Sequence, residues 1–130
     1  MFKFNNLVAM SLGGKSVIKK ILIFVIVIPF LSLSFVFISI FFPSHIESPE
    51  EAENAKFGLP FRYIEQDLIS SGAYDIIDIK GFPNYFGLQT DFLDHDIDYK
   101  FSRLNFILSF VTTYLIVLII ALLLKFIRNK

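Results

Sequence analysis

The chain has 130 residues, 55% of them apolar and 17% aromatic, with twelve basic and twelve acidic side chains and no cysteine. That length holds one domain, and the apolar share exceeds the roughly 45–50% of an ordinary globular chain. Without cysteine there is no disulfide framework, thiol nucleophile or cysteine zinc site, and a net charge of zero gives no overall basic field for nucleic acid.

Residues 1–20, MFKFNNLVAMSLGGKSVIKK, read as a basic tail with an interfacial apolar component, broken at Gly13-Gly14. The GGKS within it lacks the first glycine of a phosphate-binding loop, because Ala9 stands there, and no strand precedes it. Lys15, Lys19 and Lys20 are expected to set topology and to meet anionic lipid.

Ile21 to Phe42 contains no charge and as a helix measures roughly 33 Å, enough to cross a hydrocarbon core of about 30 Å. It exceeds the roughly 7–15 apolar residues of a signal peptide, and FFPSH follows it in place of a small-residue cleavage site, so a retained anchor is expected. Pro29 removes the hydrogen bond to the Val25 carbonyl and predicts a kink. A second uncharged run, Leu104 to Leu124, is roughly 32 Å long on the same rise. Ser32 and Ser39 share one face of the first run, Ser109 and Thr113 one face of the second, and small hydroxyl residues let membrane helices approach closely. These four are the predicted helix–helix contact. Neither run contains an acid, base or histidine of the kind that ion relays need.

All twelve acids lie between Glu47 and Asp98, whereas Lys3, Lys15, Lys19, Lys20, Lys125, Arg128 and Lys130 flank the two runs on their far sides. Lys and Arg near span ends set orientation, so the expectation is a bacterial plasma-membrane protein with tails 1–20 and 125–130 in the cytoplasm. Residues 43–103 form an acidic extracytoplasmic domain, and Arg103 is the main residue pulling the other way.

Within that segment Ser48, Pro49 and Glu51 form a capping-box pattern that predicts a short helix from Pro49 to about Lys56. FRYIEQDLI (Phe61–Ile69) and YDIIDIK (Tyr74–Lys80), separated by Ser70-Ser71-Gly72, read as a hairpin. GFPNYFG (Gly81–Gly87) is expected to be an aromatic loop exposed to a partner or the bilayer. TDFLDHDIDYK (Thr90–Lys100) alternates as a third strand, with His95, Ile97, Tyr99 and Phe101 on one face and Asp94, Asp96, Asp98 and Lys100 on the other. The fold expected is a two-helix transmembrane hairpin with a small α+β extracytoplasmic domain of one short helix and about three antiparallel strands.

Asp94, Asp96 and Asp98 have the opening spacing of an EF-hand, but Tyr99 and Asn105 occupy its glycine and glutamate positions, which excludes one. A looser cation site from Asp91, Asp94, His95, Asp96 and Asp98 is the sharper reading; a solvated strand face is the plainer and favoured one. Glu65 with Asp67, or His95 with a neighbouring aspartate, are carboxylate and base pairs without a nucleophile at a recognisable spacing, and His45 reads as interfacial. No cofactor is implied.

FGLPFRYIEQD, Phe57 to Asp67, resembles a GFPFxFIxQD-like stretch after the first span of small two-pass membrane proteins of Firmicutes, with Leu59 in place of its first phenylalanine. The resemblance implies a two-pass layout and an envelope location, and it supplies no catalytic residue. The expected role is a non-enzymatic accessory, regulatory or immunity-type interaction protein. Its partners are the lipid bilayer and a membrane or envelope protein, met through Phe61, Arg62, Tyr63, Phe82, Tyr85 and Phe86. A divalent-cation sensor built on Asp91–Asp98 is the alternative.

Overall fold

The computed structural model describes residues 14–71, 77–78, 80–90 and 98–129. Two long helices, α1 (Gly14–Phe41, 28 residues) and α3 (Arg103–Arg128, 26 residues), are long and apolar enough to cross a membrane. They pack along one another. Between them in sequence lies a small α+β unit: β1 (Ser44–Ile46), α2 (Pro49–Ala52), β2 (Ala55–Phe57), β3 (Ile64–Gln66), β4 (Asn84–Phe86) and β5 (Tyr99–Phe101).

In α1 the residues Ile23–Val27 form a π segment, closed by a bond from the Ile28 N–H to the Ile23 carbonyl. A proline ring in a regular helix clashes with the carbonyl four residues back and withdraws a donor. Widening the turn ahead of Pro29 accommodates both effects. Past it, Ile28, Ser32, Val36 and Ser39 are buried along one stripe of α1, opposite Ser109 and Thr113 of α3. Ser32 returns its hydroxyl to the Ile28 carbonyl at 2.8 Å, so no polar group of that side chain is left bare in the contact.

α2 starts where the capping box puts it. Ser48 Oγ accepts from the Glu51 N–H at 3.3 Å, and the Glu51 carboxylate accepts from the Glu47 N–H, one residue earlier than the reciprocal bond of a standard box. The helix stops at Ala52 rather than near Lys56, because Ala55 and Phe57 enter β2 and bury there.

The strands form two antiparallel sheets, β1–β4 and β2–β3–β5. This corrects the predicted hairpin of 61–69 with 74–80. Both edges of β3 are taken, by β2 (Phe57↔Ile64) and β5 (Ile64↔Phe101), while Ile77, Asp78 and Lys80 are helical. Only Tyr99–Phe101 of the predicted third strand is seen as a strand; Asp91, Asp94, His95 and Asp96 lie outside the described residues. The unit's core is Ile46, Ala52, Ala55, Phe57, Leu68, Ile77 and Phe86, with Phe82 packed against its edge.

Candidate functional site

Gly58 to Tyr63 connects β2 to β3, and this short loop is the point where the sheet meets both long helices. Gly58 has φ +96°, a region that L side chains rarely adopt. A Cβ built there meets the Tyr63 ring, with Cδ1 and Cζ both at 2.8 Å, so the ring lies directly against the glycine backbone. The Leu59-Pro60 peptide that follows is cis, as is Phe82-Pro83.

Serines from the two helices hold this loop. The Leu59 N–H donates to Ser39 Oγ at 2.9 Å, and Ser39 Oγ donates to the Val36 carbonyl of its own helix at 2.6 Å. From the other side Ser109 Oγ accepts from the Phe61 N–H at 3.1 Å and donates to the Phe61 carbonyl at 2.8 Å. Asn105 Nδ2 donates to the Arg62 carbonyl at 2.8 Å, and the Ser102 N–H to the Tyr63 carbonyl at 2.8 Å. Ser39 and Ser109 are therefore buried on the facing sides of the helices, yet their hydroxyls serve the loop backbone instead of each other. Nothing in helix periodicity signals this, because the acceptors and donors belong to a segment 20 and 48 residues away.

Tyr63 is 1% exposed. Its hydroxyl donates to the Val36 carbonyl of α1, and its ring lies 5.2 Å from Phe106 and 6.1 Å from Phe101, both edge-on, while Phe37 lies 5.7 Å from Phe106. Edge-to-face pairs at such distances contribute beyond their buried area. The four rings thus join α1, the loop, β5 and α3 into one aromatic cluster. Burial raises the Tyr63 phenol above its ordinary value, opposed by the neighbouring Ser39 hydroxyl.

On the outer face of the three-stranded sheet, Lys56, Glu65 and Lys100 stand directly opposite one another. Glu65 meets Lys100 at 3.0 Å and Lys56 at 3.9 Å. The strand continues into a turn that Asp67 closes: its Oδ1 accepts from the Ile69 and Ser70 N–H groups at 2.9 and 3.1 Å, and its other oxygen accepts from Ser70 Oγ. The Ser70 hydroxyl is the main reason that the Asp67 carboxyl sits below its usual range. Glu65 and Asp67, read in sequence as a carboxylate pair, are thus each engaged in a structural role. Gln66, on the opposite face and 1% exposed, exchanges two bonds with the Gln89 backbone at 3.0 and 2.9 Å, a polar core contact that sequence reading missed.

The six residues expected to present a surface do not form one. Tyr63 and Phe86 are buried, and Phe82 packs on the core edge, which corrects the expectation for those three. The β1–β4 pairing turns Phe86 inward and leaves Tyr85 59% exposed. Phe61 is 42% exposed. Arg62 and Tyr85 line one cleft of about 230 Å³ together with His45, Lys56 and Leu59. The His45 and Tyr85 rings, paired across β1 and β4, are 4.9 Å apart. Of the acidic cluster, Asp98 alone is described; it is exposed and lines a separate open cleft with Glu53, Glu65 and Asp67. Among the described residues there is no group of three or more acidic or histidine side chains that could hold a metal ion.

No family model, curated protein or solved structure matches this chain. Its chemistry is therefore read from these contacts. A cleft with an arginine, a lysine, a histidine and an exposed tyrosine suits an acidic or aromatic protein surface, since Arg and Tyr are enriched where interfaces carry most of their energy.

Proposed function

We propose that this chain is a two-span bacterial plasma-membrane protein that acts without catalysis, as an accessory, regulatory or immunity-type factor. It does so by binding another membrane or envelope protein at the Arg62–Tyr85 cleft of its extracytoplasmic unit. The observation that carries the membrane reading is the inverted surface of the helices. Fifteen large apolar side chains of α1 and thirteen of α3 are exposed, Phe30, Leu104 and Ile127 by 68%, 67% and 69%, while Ser32 and Ser109 are fully buried. Core helices of a soluble protein bury that surface, and the largest apolar patch of a typical soluble monomer is about 300–600 Å². Hydrocarbon covers it at no cost, and small polar residues between the helices are what membrane packing favours.

Orientation rests on the basic residues at the Lys19–Lys20 and Lys125–Arg128 ends, expected inside. The chain has no cysteine, so Glu50→Cys and Asn129→Cys are clean reporters: in intact cells an impermeant maleimide labels position 50 and leaves position 129 unlabelled until the cells are opened. The reverse pattern overturns the topology. For the interaction, affinity capture at native expression is expected to return a co-purifying envelope protein from wild type and to lose it from Arg62→Ala and Tyr85→Ala. Equal recovery from both variants removes the cleft as the contact.

A further inference from the structure

At the ends of the helices remote from the α+β unit, a groove of about 430 Å³ runs between α1 and α3. Its rim carries Lys19 and Lys20 from one helix and Lys125 and Arg128 from the other. Its wall is apolar, including Ile23, Phe24 and Ile28 of α1 and Leu122 of α3. Four cations line this groove, and the acids that the structure describes all lie between Glu47 and Asp98, in the unit at the opposite helix ends. The salt bridges among the described residues involve His45, Lys56 and Lys100 and none of these four. Among the described residues none of the four meets a counterion, so an anion from outside the chain complements them. A second feature falls at the same place. Ile23 and Phe24, which open the π segment, are in the groove wall, and π turns occur disproportionately at functional sites.

We propose that this groove binds one anionic phospholipid, its phosphate among Lys19, Lys20, Lys125 and Arg128 and an acyl chain along the Phe24–Ile28 and Leu122 wall. The combination selects for a diacyl lipid with a net negative headgroup. The arginine offers a planar fork to phosphate oxygens, the lysines supply point charges, and the wall from Lys19 to Ile28 spans roughly 13 Å of helix for a hydrocarbon chain to follow. Basic pockets of this kind between helices on the cytoplasmic side recognise anionic headgroups. The site lies across the helix–helix seam, so the bound lipid bridges both helices and holds their basic ends together. The inference rests on the membrane-spanning reading above.

The test uses the full chain in lipid nanodiscs, with phosphatidylglycerol titrated into phosphatidylcholine, and reads lipid retained by native mass spectrometry. Wild type is expected to keep one phosphatidylglycerol. Lys19→Gln loses about fivefold in preference, on the scale of one basic residue near an anionic surface. The combined Lys19→Gln, Lys20→Gln, Lys125→Gln and Arg128→Gln variant retains the two lipids equally. Arginine at the three lysine positions restores retention and controls for folding, and Lys100→Gln, in the distant unit, leaves it unchanged. Equal retention of both lipids by wild type overturns the lipid site while leaving the membrane reading intact. Displacement of the lipid by excess inorganic phosphate overturns it in favour of a free-anion site. Release of the chain from native membranes by alkaline carbonate overturns the membrane reading and the site with it.

Discussion

Replacing Gly58 by alanine isolates the geometry on which the loop between the helices depends. Two costs apply. A residue with a Cβ at φ +96° pays about 1–2 kcal/mol for the left-handed region. The new methyl also presses on the Tyr63 ring, whose Cδ1 and Cζ lie 2.8 Å from its position, and overpacking of that kind costs about 1–3 kcal/mol. The expected loss is therefore about 2–5 kcal/mol, a large part of a small domain's stability. Two other glycines calibrate the parts. Gly81 has φ +68° and open space around its Cβ position, so Gly81→Ala shows the backbone cost alone. Gly87 has neither constraint, and Gly87→Ala stays within about 0.5 kcal/mol. In a Tyr63→Val background the steric part disappears, leaving about 1–2 kcal/mol for Gly58→Ala, a coupling that a double-mutant cycle measures. The assay is denaturant unfolding in mild detergent followed by near-ultraviolet circular dichroism of the tyrosines. If Gly58→Ala costs no more than Gly81→Ala, or if the Tyr63 background makes no difference, the packing of that ring on the loop is refuted.

Ser109→Ala removes both side-chain bonds of the part-buried Phe61 N–H and carbonyl and, at about 0.5–1.5 kcal/mol for each, is expected to cost about 1–3 kcal/mol by the same unfolding assay. Lys100→Ala removes the shorter arm of the Glu65 pair, which is solvent-exposed; it is expected to cost under about 1 kcal/mol, and less again at high salt. Asp67, held low by Ser70, stabilises the fold above the ordinary carboxylate value of about 3.9, and that contribution is lost as pH falls through its folded value. Ser70→Ala raises the Asp67 pKa in a carbon-13 titration and flattens the acid side of the stability profile. Tyr63, raised by burial, gives the opposite sign: stability present below about 10 is lost as pH rises through its folded value. Phenolate absorbance reports that step, and Tyr63→Phe removes it.

The two apolar helices were legible because a charge-free run longer than 20 residues has few other destinations, and the cap at Ser48 because its signal is contained in four residues. The burial of Ser32 and Ser39 was legible from spacing on one face. What their hydroxyls bond was not, since Leu59 and Phe61 come from a loop whose path no local pattern specifies. Strand pairing failed for a related reason. Ile64–Gln66 has the composition of a strand, but its choice of Ala55–Phe57 and Tyr99–Phe101 over the nearer Tyr74–Lys80 depends on long-range closure. Tyr63 and Phe86 look like any exposed aromatic until the fold turns them in.

The two serine anchors have a mechanical corollary. Leu59 is tied to α1 and Phe61 to α3, so the peptide units between them form a tether no longer than about 7 Å. Sliding one helix along the other, or changing their tilt, by more than an ångström or so stretches one of these bonds past hydrogen-bonding range. The helices can therefore shift against each other only if the Leu59 or Phe61 contact breaks or if Arg62 and Tyr63, which lead into β3, move with them.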